Sequence, residues 1–135
     1  MLALPMADWL LKTEPEDYSI DDLERDGTTR WDGLANNTAL KNVRAMRKGD
    51  RCLIYHTGGV KAAVGVAKVV SEPYEADGFD VVDLAFVRRI ERPRTLAEVK
   101  AEPRFAGWAL VRQSRLGVVP VDAEQWDFMN RKREG

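Results

Sequence analysis

Short apolar segments, each ended by a glycine or a proline, constrain the fold of this chain more than any other feature. Gly58-Gly59 lies between two of them and indicates an antiparallel hairpin. Gly65, inside the following segment, is typical of a bulge or a close backbone approach, and Pro120 indicates an edge strand. The predicted strands cover residues 9–11, 52–55, 62–70, 81–90 and 118–121.

Helix-capping signals separate these strands. Ser19 and the acidic residues after it predict a helix that Gly27 ends, and Thr95 with Glu98 forms a capping-box pattern. Strands joined by hairpins, with helices inserted around them, predict an α+β domain built on an antiparallel sheet or a small barrel. The remaining predicted elements are helices over 38–48 and after Asp122, a polar loop over 72–80 and a turn or single helical turn over 107–112.

The chain has the length and composition of one globular domain. Its 135 residues are 44% hydrophobic and 32% charged, which is enough to bury a core without a disulfide or a metal. Cys52 is the only cysteine, which excludes an intrachain disulfide and a cysteine-rich zinc site and fits a reducing compartment. We expect a cytoplasmic protein, with association with the nucleoid as an open alternative.

The N-terminal residues carry no targeting pattern. No apolar run has the length of a membrane span, and residues 1–6 lack the basic region of a signal peptide. We expect residues 1–7 to be an extension and residues 8–135 to form a single domain. Met6 is an alternative initiating residue to Met1.

Charge is unevenly distributed along a nearly neutral chain. The net charge of −1 excludes a uniformly basic nucleic-acid binder. In the predicted helix over 38–48, however, apolar residues occupy one face and basic residues another, so the helix is amphipathic with a basic outer stripe. That stripe suits phosphate contacts, although solvated surface charge is the common alternative. Its basic residues are Lys41, Arg44 and Lys48.

Catalytic patterns are sparse. His56 is the only histidine, and Cys52 precedes it by four residues, but Cys52 lies in an apolar run where cysteines are usually inert packing residues. A Ser114–His56 pair has no supporting spacing. The sequence contains no glycine-rich phosphate loop, no metal-ligand cluster and no nucleophile-elbow motif. We therefore predict a protein that is not an enzyme and has no cofactor.

Two segments combine aromatic and hydrogen-bonding residues. Trp31-Asp32-Gly33 is followed closely by Asn36, and Tyr55-His56-Thr57 ends a predicted strand. Aromatic faces stack on nucleobases, and an asparagine amide matches a base edge. The alternative is that Trp31 and Tyr55 are core residues and Asn36 is an N-cap. The residue types alone leave both interpretations open.

Ordered motifs run from Asp8 to about Trp126. They are Trp9-Leu10-Leu11-Lys12-Thr13-Glu14-Pro15, Tyr18-Ser19-Ile20-Asp21-Asp22-Leu23, Trp31-Asp32-Gly33, Tyr55-His56-Thr57, Gly65 and Arg112-Gln113-Ser114-Arg115-Leu116. In this order they resemble the EVE domain family, which is PUA-like and related to YTH domains. The resemblance implies a small, mixed or antiparallel PUA-like β-barrel with short flanking helices and no catalytic activity.

The resemblance also implies a ligand and the residues that contact it. The ligand would be a modified nucleobase flipped out of a duplex or presented by a single strand. Trp31 would be a stacking wall, and Asn36 and Thr57 would contact the base edge. The rest of the implied site consists of Tyr55 and His56 in the lining, Lys12 and Glu14 at the mouth or floor, and Ser114, Arg115 and Leu116 on the opposite rim, with Arg115 as a phosphate contact.

Three functions compete at this point. The first is a reader of modified cytosine in DNA, and the second is an RNA binder that recognises a modified base or a structured RNA. The third is a small-molecule binder or hydrolase that uses His56. Nucleic acid is the expected partner in the first two, no membrane is expected to be a partner, and the sequence identifies no protein partner.

Overall fold

The structure, a computed structural model, describes residues 7–32 and 37–130. Its strands are β1 (Asp8–Thr13), β2 (Thr28–Trp31), β3 (Arg51–His56), β4 (Ala62–Val69), β5 (Tyr74–Ala76), β6 (Phe79–Thr95) and β7 (Val118–Val121). Its helices are α1 (Ile20–Asp26), α2 (Asn37–Ala45), α3 (Leu96–Lys100), α4 (Ala109–Arg112) and α5 (Ala123–Asn130). A short 3-10 turn covers Pro103–Phe105.

The strands form one mixed sheet in the order β2-β6-β4-β3-β1-β7, and β5 pairs with β6 outside this path. β1 runs parallel to β3 and antiparallel to β7. The parallel pair follows from its connection, because α1, β2 and α2 lie between the two strands and carry the chain back to the starting end of the sheet. The predicted α+β class with short flanking helices is confirmed, and the sheet is of the mixed kind.

The central strands are covered on both faces. Trp9, Leu10 and Leu11 are consecutive and all buried, and so are residues 52–56 of β3. A strand with one solvent-facing side would alternate buried and exposed residues, whereas a strand buried on both sides is continuously apolar. The core therefore lies on both sides of the sheet.

Most of the predicted local signals are confirmed. Ser19 caps α1 in a capping box with Asp22, and β3 and β4 form the antiparallel hairpin. The pairing register shifts on either side of Gly65, and a Cβ there would lie 2.3 Å from Cδ1 of Ile20. Among the described strands, β7 pairs with β1 alone and is an edge strand, as Pro120 indicates.

Three predicted boundaries were wrong. Residues 72–80 are not a loop, because β5 and the start of β6 form a second hairpin there. β6 is also much longer than the predicted strand, since it pairs with β2, β4 and β5 along its length. α2 ends at Ala45, although Met46 beyond it is still fully buried. None of the described helices is long and apolar enough to cross a membrane.

Candidate functional site

The candidate site is built where the parallel strands β1 and β3 end side by side. Thr13 pairs with His56 in the sheet, and the Thr57 amide donates to the Thr13 carbonyl at 3.0 Å. Parallel strands end at the same edge of a sheet. Glu14 and Thr57 are consequently brought together from motifs that are far apart in the sequence.

A first cleft lies beside β2 and the end of β1, and we call it the tryptophan cleft. Its volume is about 660 Å³. It brings together three of the predicted residues, Lys12, Glu14 and Trp31, with several that were not predicted. Its described lining consists of Lys12, Thr13, Glu14, Asp17, Tyr18, Thr29, Arg30, Trp31 and Asp32.

The Glu14 carboxylate is held in a defined position in this cleft. The Thr57 hydroxyl donates to Oε2 of Glu14 at 3.0 Å. Gly58 has a φ of 74°, and a Cβ on it would lie 3.1 Å from each carboxylate oxygen. The glycine therefore leaves room for the carboxylate in a backbone conformation that other residues rarely adopt. An ionised carboxylate only accepts hydrogen bonds, so this position suits a ligand that donates them.

Trp31 is more buried than a stacking wall requires. Only 7% of the residue is exposed, its strand pairs it with Val82, and the Tyr18 ring packs edge-on against it with centroids 6.5 Å apart. The core interpretation of Trp31 is thus largely correct, although part of its side chain still lines the cleft. Tyr18 extends this aromatic wall, since it is only half-buried and lines the same cleft.

A second cleft of about 250 Å³ lies on the other side of Lys12, and we call it the lysine cleft. Within the described residues, Trp31 lines the tryptophan cleft and Tyr55 lines the lysine cleft, and their strands β2 and β3 lie at different places in the sheet. Lys12 belongs to both. The described lining of the lysine cleft consists of Lys12, Tyr55, Thr57, Gly58, Lys61, Leu96, Lys100, Leu110, Val111 and Ser114.

Lys12 and Tyr55 occupy the inner part of the lysine cleft. The Lys12 ammonium donates to the Ser114 carbonyl at 2.9 Å and lies 5.9 Å from the centre of the Tyr55 ring. Burial lowers the pKa of Lys12 and raises the pKa of the Tyr55 phenol to about 12. Both groups therefore present hydrogen-bond donors to the cleft at neutral pH, since the phenol stays protonated.

His56 has a role within the fold. It is buried, and its Nε2 accepts a hydrogen bond from the Ile20 amide at 3.0 Å, at the first residue of α1. This bond requires a neutral ring with the proton on Nδ1. Burial lowers the pKa of His56 and outweighs the opposing effects of the Asp21 and Glu14 carboxylates. Cys52 is fully buried, and its burial raises the pKa of its thiol, so it is an unreactive core residue.

The residues from the last predicted motif differ in their burial. Ser114 lines the lysine cleft and supplies the carbonyl that accepts from Lys12. Arg115 is exposed, whereas Leu116 is buried in the core with 4% of its surface exposed. Leu116 therefore supports the rim from below and does not form its surface. Asn36 lies outside the described residues.

The predicted basic stripe on α2 is exposed but partly neutralised. Lys41 and Arg44 lie on the outer face of α2, while Lys48 follows the end of the helix in a turn. Arg44 pairs with Asp80 of the β5–β6 hairpin. Within the described ranges, no group of three or more histidine, cysteine, aspartate and glutamate side chains is arranged to hold a metal ion.

Several lining residues were not predicted. Asp17, Thr29, Arg30 and Asp32 belong to the tryptophan cleft, the last three because they lie in or next to β2, and no strand was predicted over residues 28–31. Lys61 and Lys100 reach the lysine cleft from the start of β4 and the end of α3. Lys61 has a φ of 49°, which is uncommon for a residue other than glycine, and no local sequence signal indicates this conformation.

Comparison with known proteins agrees with this architecture. The family model of the EVE domain matches residues 7–132, which is nearly the whole chain. Thymocyte nuclear protein 1 of Homo sapiens is 28% identical over 160 residues, covering 90% of this chain and 71% of the human protein. The Danio rerio protein of the same name is 30% identical, with 90% of this chain and 69% of that protein covered.

Solved structures are similar over the same extent. A protein from Rhodopseudomonas palustris is 41% identical with a TM-score of 0.86, covering 93% of this chain and 92% of that one. The human THYN1 protein, solved in complex with DNA containing 5-methylcytosine, is 27% identical with a TM-score of 0.84, covering 95% of this chain and 99% of that one. The fold is therefore PUA-like, and the chain belongs to the EVE domain family.

Proposed function

We propose that this protein is a nucleic-acid-binding reader that accepts a modified cytosine of DNA, extruded from the base stack, in the tryptophan cleft. It performs no reaction on that base. The observation that carries the proposal is a fixed carboxylate, Glu14, in the same cleft as a tryptophan. The human THYN1 complex with DNA containing 5-methylcytosine supports the choice of ligand.

The chemistry of Glu14 favours cytosine among the pyrimidines. Cytosine carries an amino group at C4 that donates hydrogen bonds, whereas thymine carries an accepting oxygen there. The Glu14 carboxylate accepts from Thr57 on one oxygen and has further accepting capacity toward the cleft. It therefore attracts the cytosine amino group and repels the thymine oxygen.

The aromatic wall of the tryptophan cleft suits a methyl group on the bound cytosine. Trp31 and Tyr18 line the cleft together, and their rings are in edge-to-face contact. A methyl group at C5 of cytosine lies next to the amino group on the same edge of the base. Contact with this wall removes the methyl group from water, which favours the modified base by roughly 0.8 kcal/mol for one buried carbon.

The lack of catalysis is supported by the state of the two candidate reactive residues. His56 uses its Nε2 to bind the Ile20 amide, and Cys52 is fully buried in β3. A general base must reach the proton that it removes, and a nucleophile must be accessible. Neither residue meets these requirements, so binding is the function that the site supports best.

The test is a titration of fluorescent DNA oligonucleotides that differ only in one central base. We expect 5-methylcytosine or 5-hydroxymethylcytosine to bind more tightly than cytosine, and thymine to bind most weakly. Glu14→Gln should weaken binding of the modified cytosine by ~1.5–3 kcal/mol, the typical contribution of a hydrogen bond to a charged group. Glu16→Gln is the matched control, because Glu16 is exposed and does not line the cleft.

Several results would overturn the proposal. One is equal affinity for all the bases, and another is an equal effect of Glu14→Gln and Glu16→Gln. RNA oligonucleotides of the same sequence are titrated in parallel. If the modified base binds more tightly in RNA than in DNA, the ligand is RNA and not DNA. If the protein turned over a nucleotide, and His56→Ala abolished that activity, the protein would be an enzyme and not a reader.

A further inference from the structure

None of the lysines in the part of the chain that the structure describes forms an ion pair with a carboxylate, and two of them are of interest because of where they lie. Lys61 and Lys100 form no ion pair within residues 7–32 and 37–130, and both line the lysine cleft. Their charge is therefore available to an external anion. Many of the arginines, by contrast, pair with carboxylates, namely Arg25, Arg30, Arg44, Arg51, Arg89, Arg94 and Arg104.

The two clefts differ in the sign of their charge. The tryptophan cleft is lined by three carboxylates, which outnumber its two cations, Lys12 and Arg30; the carboxylates belong to Glu14, Asp17 and Asp32. The lysine cleft has no carboxylate in its described lining and has Lys61 and Lys100 in addition to the shared Lys12. A phosphate group is repelled from the first cleft and attracted to the second.

The lysine cleft also contains a polar group that lacks a partner among the described residues. Tyr55 is only 3% exposed and lines the cleft, and its hydroxyl forms no hydrogen bond within residues 7–32 and 37–130. No described side-chain oxygen is both fully enclosed and unpaired, so this hydroxyl opens to the cleft. Buried phenol groups usually have a hydrogen-bond partner. The hydroxyl can donate, which suits an anionic acceptor such as a phosphate oxygen.

The remaining walls are apolar and positioned by the backbone. Leu96, Leu110 and Val111 line one side of the cleft. The Lys61 carbonyl accepts from the Leu96 amide at 2.8 Å, which joins the left-handed Lys61 to the start of α3. The volume of about 250 Å³ is below the usual range for drug-sized ligands. It is suited to a small fragment that has both a charged and an apolar part, such as a phosphate with its sugar.

We propose that the lysine cleft is a phosphate subsite that holds a nucleotide phosphate ester with Lys61, Lys100 and the Tyr55 hydroxyl. Placing this phosphate beside an extruded base rests on the proposed function, whereas the affinity of the cleft for a phosphate ester does not. Lys12 lines both clefts and is anchored on the Ser114 carbonyl. It therefore lies between a base in one cleft and its phosphate in the other.

The first experiment uses phosphate compounds without a DNA strand. Inorganic phosphate and cytidine monophosphate are titrated separately into the isotope-labelled full chain, and amide and methyl NMR shifts are followed. We expect saturable shifts at Leu110 and Val111, with cytidine monophosphate binding more tightly because its sugar contacts the apolar wall. Tyr55→Phe retains the ring and should weaken this binding several-fold. No saturable shift at these residues with either compound would overturn the proposal.

The second experiment measures the salt dependence of binding to single-stranded DNA. The double variant Lys61→Gln/Lys100→Gln should lower the slope of log affinity against log salt by about 0.7, the contribution of the one phosphate contact on a single strand that the two lysines share. Its affinity should fall about tenfold at physiological salt, equally for modified and unmodified cytosine. Lys68→Gln is the matched control, because this exposed lysine lies about 20 Å further along β4.

The outcomes separate this proposal from the proposed function. If the double variant behaves like Lys68→Gln while discrimination between bases persists, the phosphate subsite is wrong and the reader function stands. If discrimination is absent while cytidine monophosphate still binds at the lysine cleft and Tyr55→Phe weakens it, the subsite stands and the reader function is wrong.

Discussion

The hydroxyl of Thr57 donates to the carboxylate of Glu14 at 3.0 Å, and this bond joins the residues that follow the two parallel strands. Loss of the bond leaves the carboxylate present but no longer oriented. We predict that Thr57→Val lowers the discrimination between cytosine and thymine by ~0.5–1.5 kcal/mol, the typical value of one hydrogen bond. Thr57→Ser retains the hydroxyl and should behave like the wild type. Unchanged discrimination in Thr57→Val, measured with the same oligonucleotides, would contradict the role of this bond.

The lowered pKa of His56 should make the stability of the protein depend on pH. This pKa is lowered from the ordinary value of 6.5 in the folded state, mainly by burial. The unfolded chain therefore binds a proton more readily than the folded chain. The stabilisation is complete above pH 6.5 and is lost as the pH falls through this value toward the folded pKa.

The measurement compares urea unfolding of the wild type and His56→Gln at roughly pH 7.5 and pH 5.5, on either side of the ordinary histidine pKa. A glutamine side chain does not bind a proton in this range, so the variant should lose less stability between the two conditions. Carboxylates contribute equally to both proteins and cancel in the comparison. The same loss in both proteins would show that His56 is not the titrating group.

Gly65 is predicted to be intolerant of any side chain. A Cβ at this position would lie 2.3 Å from Cδ1 and 2.8 Å from Cγ1 of Ile20, which is itself buried. Gly65→Ala should lower the free energy of unfolding by about 1–3 kcal/mol, as overpacking of a core does. The double variant Gly65→Ala/Ile20→Ala should lose less than the sum of the single variants. Additive losses in chemical denaturation would exclude this contact as the cause.

Asp50 is predicted to be the polar residue on which stability depends most. It is 2% exposed, and its carboxylate accepts from the Trp9 indole at 3.0 Å, the Ala7 amide at 3.1 Å and the Arg47 amide at 2.9 Å. Asp50→Ala leaves these donors without an acceptor and should lower the free energy of unfolding by about 2–4 kcal/mol.

Asp21→Asn provides the comparison for Asp50. Asp21 is exposed and pairs with Arg89 on the surface, so its loss should change stability by less than about 1 kcal/mol. Thermal and chemical denaturation measure both variants. A similar loss in the free energy of unfolding for the two substitutions would show that the buried hydrogen bonds of Asp50 contribute no more to stability than a surface ion pair.

Local sequence signals predicted most of the fold, because they act over a few residues. Ser19 and Thr95 each have a local reason to occupy their positions, because each caps the helix that follows it. The β5–β6 hairpin was missed although its turn contains Asp77-Gly78, a pair typical of two-residue hairpin turns, and both residues have positive φ. The polar composition of residues 72–80 concealed that signal.

The site was harder to predict, since it depends on pairing between distant strands. The resemblance implied Lys12, Glu14 and Thr57 as site residues, and the parallel register of β1 and β3 brings these three residues together. The division into two clefts could not be predicted, because nothing local to Trp31 or Tyr55 specifies which strands separate them. The burial of Trp31 likewise follows from the pairing of β2 with β6.

The position of β1 between β3 and β7 also determines when the protein can fold. Asp8 pairs with Arg51 on one side and with Val121 on the other, so β1, which leaves the ribosome before the other described strands, awaits partners that are synthesised much later. Pairings of such long range form slowly, and their apolar strands are exposed until they do. Until β7 emerges, Leu10 and Leu11 belong to an open sheet edge, and an open edge is a template for pairing with another chain.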